Sequence, residues 1–313
     1  MPLSGLREVD RLEITVLVDN YTDLLLLLST DVVKRPTHMR FPDVPLAEHG
    51  LSCLLKIYAG QEEHVVMMDA GVSSHCLFHN AGVLNAALDS VESVILSHGD
   101  FDHIGGLPDF LKQTKKEMQV FAHPDAFLER RLNIAPLGLL ADLPSLKEAL
   151  IKKNNVVLQK RKEPSLVASD LVLLSGEIAR TTDFEKGFPW AEAKIDDKWV
   201  VNPFNDDQGI AVNIKGRGLV ILSGCAHAGI INTVRYLQKI SGIEKVHAVL
   251  GGFHLSGPIF EPSIGPTIAQ MKEIGVDYVV PMHCTGFKAT TQFASLMPEQ
   301  YLLNSVGTTY VFA

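Results

Sequence analysis

The chain has 313 residues, of which 46% are hydrophobic and 20% charged, a composition typical of a soluble globular protein with one large or two small domains. Its formal net charge of −8 argues against nucleic acid or an anionic membrane as the main partner, and it is compatible with a small-molecule substrate. Because the four cysteines lack Cys-x-x-Cys spacing, and the N-terminus lacks a signal-peptide layout, we expect no disulfide framework and a cytoplasmic protein.

The N-terminal part of the sequence predicts strands that end in polar residues. Apolar residues within 12–18 predict a strand that runs into Asp19 and Asn20. A plain turn and a position at the rim of a metal pocket explain this pair equally well. After an irregular, proline-rich stretch, two paired strands are predicted within 51–68, and the second of them ends at Asp69.

A short apolar strand over 93–96 leads directly into a cluster of metal-capable side chains. Within six residues the chain carries His98, Asp100, Asp102 and His103. Imidazole and carboxylate ligands together suit Zn²⁺, Mn²⁺ and Fe²⁺. Because alternate residues of an extended segment point to opposite sides, the first two side chains are predicted to face one ion and the last two a second ion. The two glycines that follow let the backbone turn close to this site without a Cβ in the way.

The middle of the chain is predicted to contribute two insertions around the pocket, at about 124–164 and 179–208. Within the first insertion, residues 132–164 predict a helix and a surface strand that cover one side of the pocket. The second insertion is irregular and rich in aromatic residues. It is interpreted either as a lid or substrate wall, or as a peripheral packing flap or dimer contact. His123 precedes the first insertion at a strand end, where a helix cap or a position at the rim of the pocket is favoured over a metal ligand.

Three later histidines repeat the geometry of the central cluster. His227, His254 and His283 each follow an apolar strand and lie beside a glycine. One such histidine is usually structural, but three of them, together with the central cluster, favour convergence on a single site.

These motifs carry a resemblance to a known family. The run from His98 to His103, followed by Gly-Gly-Leu, resembles the His-x-His-x-Asp-His signature of the metallo-β-lactamase superfamily, although Asp100 stands where that family has its second histidine. The segments Gly-Cys-Ala-His-Ala-Gly, Gly-Gly-Phe-His-Leu and His-Cys-Thr-Gly resemble the branch similar to the dihydropterin–ribofuranosyl-aminobenzene phosphate synthase of methanopterin biosynthesis. The resemblance runs from about Leu17 to about Gly286. It implies an α/β (α+β) fold, a four-layer αββα sandwich, in one domain over residues 1–313.

The ligand set and this resemblance together predict a metal-dependent hydrolase for a small ester, lactone or phosphoester, in which two divalent ions activate a shared water molecule. Zinc is the first choice of metal, with manganese and iron as alternatives, because the carboxylate at Asp100 makes the first site harder. The predicted ligands of the first ion are His98, Asp100 and His227. Those of the second ion are Asp102, His103 and His283. Asp102 is also predicted to orient the water, and His254 to act as a general acid or as a further ligand.

Two other functions stay open at this point. One is a synthase of the methanopterin-pathway type, acting on a pterin and a ribosyl phosphate compound. That reaction needs a cationic cradle for phosphate, for which the candidates are Lys56, Arg180 and Lys186. The other is a metal-binding sensor with little turnover. The sequence also leaves open whether the protein forms a homo-oligomer.

Overall fold

The computed structural model describes residues 3, 5–37, 41–151 and 155–313. Its strands, in chain order, are β1 (Glu8–Val9), β2 (Arg11–Val18), β3 (Val33–Lys34), β4 (Ser52–Ala59), β5 (Glu62–Met68), β6 (Ser93–Ile95), β7 (Met118–Ala122), β8 (Arg130–Ile134), β9 (Leu139–Leu143), β10 (Val156–Lys160), β11 (Ser165–Val167), β12 (Val172–Leu174), β13 (Ala191–Ile195), β14 (Lys198–Val201), β15 (Gly209–Ile214), β16 (Gly218–Ser223), β17 (Val246–Gly252), β18 (Tyr278–Met282) and β19 (Thr309–Phe312). Its helices are α1 (Ser74–Val83), α2 (Phe101–Ile104), α3 (Leu107–Gln113), α4 (Glu148–Ile151), α5 (Ile230–Ser241), α6 (Ile264–Ile274) and α7 (Phe287–Leu296). Among these residues, no helix is both long enough and apolar enough to cross a membrane.

Most of the strands belong to two large mixed sheets. The first sheet has the order β10-β7-β6-β5-β4-β2-β19-β3. The second sheet has the order β11-β12-β15-β16-β17-β18, and β1 also pairs with β15. Both sheets contain parallel and antiparallel pairs, because hairpins such as β4–β5 alternate with crossover connections through helices.

The two sheets pack face to face around a shared apolar core. Leu12 and Leu55 of the first sheet lie in one buried cluster with Val212, Leu222 and Leu250 of the second. In β2 the buried residues alternate with more exposed ones, as expected for a strand with one face in the core. In β16 and β17 every residue is buried, which is expected of strands that are covered on both faces.

Helices cover the outer faces of both sheets. Leu77 of α1 and Phe110 of α3 pack in a second cluster on the outer face of the first sheet. Leu237 of α5 and Ile268 of α6 pack in a third cluster on the outer face of the second sheet, together with Phe293 of α7. These four layers are the predicted αββα sandwich, so the fold class read from the sequence is confirmed.

A third, smaller sheet is formed by the two predicted insertions together. Its order is β14-β13-β8-β9, and β13 of the second insertion pairs with β8 of the first. The predicted helix and strand over 132–164 correspond to the one-turn helix α4 and to strand β10, which extends the first sheet beside β7, whereas the hairpin β8–β9 was not predicted. The hairpin turns at Gly138, which has a left-handed backbone, and Arg131 pairs with Glu192 across the sheet at 2.6 Å. Residues 152–154 of this insertion lie outside the described residues.

The fold brings the motif-bearing loops to one edge of the sandwich. Strands β5, β6 and β7 run parallel in the first sheet, and β16, β17 and β18 run parallel in the second. Neighbouring parallel strands end at the same edge, so the loops after β6, β16, β17 and β18 meet there. Glycine permits this approach at two points: a Cβ at Gly105 would lie 1.8 Å from the Val72 carbonyl oxygen, and one at Gly224 would lie 2.0 Å from the Ser97 hydroxyl.

Candidate metal centre

The first triad consists of His98, Asp100 and His227. The Nε2 atoms of both histidines lie 3.4 Å from the same carboxylate oxygen, Oδ2 of Asp100. Both histidines are buried, and Asp100 has only a small exposed fraction. The structure therefore brings together all the side chains that the sequence assigned to the first ion.

The second triad consists of Asp102, His103 and His283. The Nε2 atoms of its two imidazoles lie 3.2 Å apart. Oδ2 of Asp102 lies 3.3 Å from Nε2 of His283 and 3.9 Å from Nε2 of His103. All three residues are buried. The side chains assigned to the second ion thus also converge, directly beside the first triad, and the His98 and His103 ring centroids are 4.2 Å apart.

Partners behind the triads fix the orientation of three of the four imidazoles. Each of these rings uses Nδ1 for a hydrogen bond on the side away from the centre. The pairs are His98 with the Ser97 hydroxyl at 2.9 Å, His103 with the Asp69 carboxylate at 2.7 Å and His283 with the Asn20 side-chain oxygen at 3.0 Å. Such partners are typical of metal-ligating histidines, because they hold the ring and direct Nε2 towards the ion.

Asp19 and Asn20, which the sequence left open between a turn and the rim of the pocket, both support the site from behind. Asn20 contacts the His283 ring, while the buried Asp19 carboxylate accepts the backbone N–H of His283 at 2.8 Å and a side-chain N–H of Asn304 at 2.6 Å. Asp19 therefore holds the loop that carries His283, and it belongs to no group of converging ligand atoms among the described residues.

The donor atoms of the triads fit divalent metal ions. Within the described residues, Nε2 of His98 and both ring nitrogens of His227 are buried without a hydrogen-bond partner. A buried polar atom without a partner destabilises a folded protein by about 1–3 kcal/mol, and a bound metal ion would give these nitrogen atoms a partner. Imidazole and carboxylate donors from strand ends are the set that zinc, manganese and iron accept. Metal binding by these six side chains remains a prediction.

Burial and neighbouring charges shift the pKa values of the site histidines in opposite directions. Burial acts to lower the pKa of His98, but the Asp100 carboxylate outweighs it and raises this pKa to about 10. Burial also opposes the charge on His283, whose pKa the neighbouring Cys284 and Asp102 raise to about 9. By contrast, burial and the nearby His254 lower the pKa of His227 to about 3. At neutral pH, metal binding must therefore displace protons from His98 and His283, whereas His227 is already neutral.

Both carboxylates of the triads are ionised. Burial acts to raise the pKa of Asp100, but the Arg130 guanidinium and His98 hold it well below its ordinary value. Burial likewise opposes ionisation of Asp102, and His103 and His283 outweigh it and lower this pKa. Two anionic ligands are thus available at neutral pH, one in each triad.

His254 faces a cavity beside the first triad and belongs to neither triad. Its ring centroid lies 4.3 Å from that of His227 and 4.5 Å from that of Phe260. Its backbone has a positive φ of 46°, an uncommon conformation for a residue other than glycine. The cavity, of about 360 Å³, is lined by His254 and His227 and also by Phe184, Lys186 and Phe260.

Two further ligand-type residues in the centre were not predicted. The Cys225 sulfur lies 3.2 Å from Nε2 of His103, and Nε2 of the more exposed His49 lies 3.5 Å from Oδ2 of Asp102. Cys225 stands two residues before His227 in the same glycine-flanked motif, so the motif itself carried a signal for it. His49 comes from the irregular proline-rich stretch, where no periodic pattern indicates which side chain turns inward.

Comparisons with known proteins agree with this geometry. The family model described as "Metallo-beta-lactamase superfamily" matches residues 57–132. The chain is 33% identical over 257 residues, 82% of this chain and 87% of the relative, to 7,8-dihydropterin-6-methyl-4-(beta-D-ribofuranosyl)-aminobenzene-5'-phosphate synthase of Methanocaldococcus jannaschii. The chain belongs to the metallo-β-lactamase superfamily. It is also 33% identical over 261 residues to an uncharacterized protein of the same organism, covering 83% of this chain and 92% of that protein.

A solved structure supports the same fold. The crystal structure of Tm1679, described as a metal-dependent hydrolase of the beta-lactamase superfamily, matches with a TM-score of 0.71 and 21% sequence identity. The match covers 95% of this chain and 98% of that chain. At this identity the likeness shows the fold alone.

Asp100, the departure from the superfamily signature, is held by a buried arginine. Arg130, whose side chain is 2% exposed, donates to Oδ1 of Asp100 at 2.9 Å and also to the Asp206 carboxylate. Asp206 in turn accepts the backbone N–H of Gly99 at 2.8 Å. Because Arg130 occupies Oδ1, the other oxygen of Asp100 is left to face His98 and His227. Nothing in the sequence pattern singled out Arg130, which enters the site from β8 of the first insertion.

We expect the replacement of Arg130 by methionine to destabilise the protein by about 3–5 kcal/mol, because it leaves two buried carboxylates without their cation. The neighbouring Arg131 provides a matched control, since its pair with Glu192 is partly exposed. The Arg131→Met change should cost only about 0–1 kcal/mol for the lost pair, plus its contact with Trp199. Urea unfolding of both variants measures the difference, and equal losses would contradict the role given to Arg130.

Changes at Asp100 test whether it replaces the histidine of the signature as a ligand. We expect Asp100→Ala to lower the metal content, and Asp100→His to retain metal with a stronger preference for zinc, because imidazole is a softer donor. Elemental analysis of the purified variants, with competing zinc and manganese, measures both effects. An Asp100→Ala protein with unchanged metal stoichiometry would show that the carboxylate serves only Arg130.

Aromatic residues of the second insertion form part of the site. Phe204 stacks on the His227 ring with centroids 3.8 Å apart, and Phe188 lies 5.2 Å from the His254 ring. Trp199 instead contacts Arg131 within the third sheet. The insertion therefore serves partly as a wall of the site and partly as peripheral packing, so each of the two sequence interpretations applies to part of it.

His123 is a structural cap. Its Nδ1 accepts the backbone N–H of Asp125 at 3.0 Å, and its Nε2 pairs with Glu177 at 3.0 Å. Within the part of the chain that the structure describes, it joins no group of converging metal-ligand atoms. The favoured sequence interpretation, a cap before Pro124, agrees with this geometry.

Proposed function

We propose that this protein is a metal-dependent hydrolase that acts on a small ester, lactone or phosphoester. The observation that supports the proposal most strongly is the convergence of two ligand triads beside an open cavity that His254 lines. Divalent ions bound there would polarise the scissile carbonyl or phosphoryl group and would lower the pKa of a water molecule from ~16 towards ~7.

The side chains around the triads have separate tasks in this proposal. Asp102 is ionised and its Oδ2 also faces His49, so it can accept a hydrogen bond from an attacking water and orient it. His254 lies on the cavity side of the first triad, where its imidazole can donate a proton to the leaving group. Asp69, Asn20 and Ser97 hold the histidines in place from behind.

The cavity defines the class of substrate in this proposal. Its volume of about 360 Å³ is that of a small-molecule site, and its wall is largely apolar and aromatic. Lys186 is a cation on this wall, which suits a substrate with an anionic group. A compact molecule with a flat or apolar part and one negative group fits these features best.

A substrate panel tests the proposal. Protein loaded with zinc, manganese or ferrous iron is offered a lactone, a carboxylic ester, a thioester and a phosphodiester. We expect hydrolysis of at least one class, which is lost on chelation and restored by metal. Asp89→Asn, on the surface away from the site, serves as the control variant and should behave like the wild type. No hydrolysis of any class by fully loaded protein would contradict the proposal.

A synthase is the second candidate, and the identity of 33% with the dihydropterin synthase favours it. Of the three cations considered for a phosphate cradle, Lys186 lines the cavity, whereas Lys56 lines a separate cavity with Lys34 and Arg35. Arg180 donates to the backbone carbonyls of Pro203 and His227 and supports the site wall. Mass spectrometry after incubation with a dihydropterin and a ribosyl aminobenzene phosphate distinguishes the synthase from the hydrolase, because a condensed product supports the synthase. Stable metal binding without either reaction supports a sensor.

A further inference from the structure

We propose that a cavity on the outer face of the first sheet binds a small phosphate monoester, at a site separate from the metal centre. The cavity measures about 300 Å³, at the lower end of the range for small-molecule sites. Its described lining residues include no member of either triad and none of the residues that line the cavity of His254. A ligand bound there is therefore not the molecule that the metal centre acts on, and the proposal is independent of the proposed hydrolysis.

The strand register forms the floor of this cavity. Thr309 of β19 lies opposite Lys34 of β3 on one side and opposite Thr15 of β2 on the other. Thr15 in turn lies opposite Leu54 of β4, two residues before Lys56. Residues directly opposite each other, and residues two apart on one strand, share a face of the sheet. Lys34 and Lys56 therefore project from the same face, on either side of the threonine pair.

This face is the outer one. Val33 and Leu55, the chain neighbours of the two lysines, lie in the core between the sheets, so the lysines point away from that core. The segment that follows α1 contributes Leu84 and Ala86 to the wall of the cavity, and Pro36 adds a further apolar side chain. The cavity thus combines a polar floor with an apolar part of its wall.

The cations of this cavity have no carboxylate partner within the part of the chain that the structure describes. They are Lys34, Arg35 and Lys56. The Lys34 ammonium donates to the backbone oxygen of Thr30 at 2.8 Å. Arg35 donates to the Thr308 hydroxyl at 2.6 Å and to the Leu303 carbonyl at 2.9 Å, and its buried Nε has no hydrogen-bond partner among the described residues. All three positive charges are therefore held by neutral groups or by water.

The balance of charge in the cavity favours an anion. Glu13 is the one carboxylate among its described lining residues, and it pairs with Arg11 at 3.4 Å. The cavity is therefore positive, although the chain as a whole carries a formal net charge of −8. Cations that share a cavity repel one another, and a bound anion would turn this repulsion into attraction.

The hydrogen-bond donors of the cavity suit a phosphate group. Lysine and arginine side chains are the usual protein ligands of phosphate. The hydroxyls of Thr15 and Thr309 bond to each other at 2.8 Å, which uses one of their two hydrogens and leaves the other for a ligand. A phosphate monoester carries a charge of about −1.5 to −2 at neutral pH, so it matches several cations better than a carboxylate does. The apolar part of the wall can then contact the organic group of the ester.

Calorimetric titration of the full-length, zinc-loaded protein with phenylphosphonate tests the proposal. This compound has the charge of a phosphate monoester, and its carbon–phosphorus bond is not hydrolysed. We expect a binding event that Lys34→Met and Lys56→Met each weaken by about 10–100-fold, because each change removes a charge-assisted hydrogen bond. Methionine keeps the unbranched stem of lysine, so the fold should be retained. Lys34→Arg and Lys56→Arg, which keep the charge, should retain most of the affinity.

Lys186→Met is the matched control, because Lys186 is a cation of the cavity beside the metal centre. It should leave the lysine-dependent binding event unchanged. Binding that is equal in the wild type, Lys34→Met and Lys56→Met, or that only Lys186→Met weakens, would overturn the proposal, since the anion would then bind elsewhere. Benzoate or inorganic phosphate that binds as tightly as phenylphosphonate would overturn the assignment to a phosphate monoester. The titration needs no turnover, so a failure of the proposed hydrolysis leaves its result unaffected.

Discussion

The His254→Ala variant is expected to keep both metal ions and to lose turnover by roughly 10²–10⁴-fold, which is the usual contribution of a general acid. His254 lines the cavity, and one of its ring nitrogens converges with ligand atoms of Cys225 and His227. It lies outside both triads, so the removal of its ring leaves the six predicted ligands in place. Its contact with His227 is between rings, with centroids 4.3 Å apart. Metal content and rate, measured on the same preparation, give the result.

A matched control for His254 is His64→Ala. His64 lies on β5 and pairs with Glu92, so the change should alter neither rate nor metal content. If His254→Ala loses metal in step with activity, His254 is a ligand of the first ion together with His227. If it loses little of either, the histidine only packs behind the site, and the proton must reach the leaving group from another donor.

The Asp102→Asn variant is expected to lose the second ion and, with it, nearly all activity. Asp102 supplies the anionic oxygen of the second triad and has a pKa lowered by His103 and His283. Replacing a group behind a metal ligand costs ~10–100-fold in affinity or activity, so replacing the ligand itself should cost at least ~100-fold. Elemental analysis should find about one ion per chain instead of two.

The fold around Asp102 should survive this change. The side chain faces the centre, while its backbone oxygen accepts the N–H of Leu51 at 3.2 Å, and asparagine preserves that bond. Thermal unfolding of the metal-free protein should therefore remain a single cooperative transition, as in the wild type and in Asp89→Asn. Unchanged metal stoichiometry together with full activity would contradict the assignment of Asp102 to the second ion.

The parts of the fold that are strongly patterned could be predicted from sequence. The strand over 12–18 appears as Arg11–Val18, and the apolar segments before His98, His227 and His283 are strands, because a fully buried strand needs a continuous apolar run. A ligand type after each of several such strands is a simple signal, because parallel strands end at a common edge. The convergence of the six side chains follows from that signal, whereas the superfamily is implied by the resemblance of the motifs.

The third sheet could not be predicted in the same way. Strands β8, β9 and β14 are at most half-buried and show neither a continuous apolar run nor a clear alternation, and β13 alternates over only 5 residues. Their pairing joins two segments that are far apart in the chain, and no local pattern encodes such a contact. The prediction of a helix and a strand over 132–164 therefore matches α4 and β10 but lacks the hairpin β8–β9.

Side chains that act through another residue could not be predicted from the sequence either. Arg130 is one arginine among the 28 basic residues of the chain, and only its burial against Asp100 and Asp206 distinguishes it. Asp69 ends a predicted strand, and its pairing with the His103 ring depends on the parallel pairing of β5 with β6. Metal-ligand types have a recognisable spacing, whereas the groups that orient them depend on the completed fold.

The most direct test of the two-ion centre is a crystal structure of the protein loaded with zinc, with the ions located by anomalous scattering. Two sites should appear, one bound by His98, Asp100 and His227 and the other by Asp102, His103 and His283. Nitrogen and oxygen ligands should lie ~2.0–2.2 Å from the ions. Zinc bound elsewhere, or a structure in which His227 or His283 lies outside the coordination sphere of both ions, would contradict the centre described here.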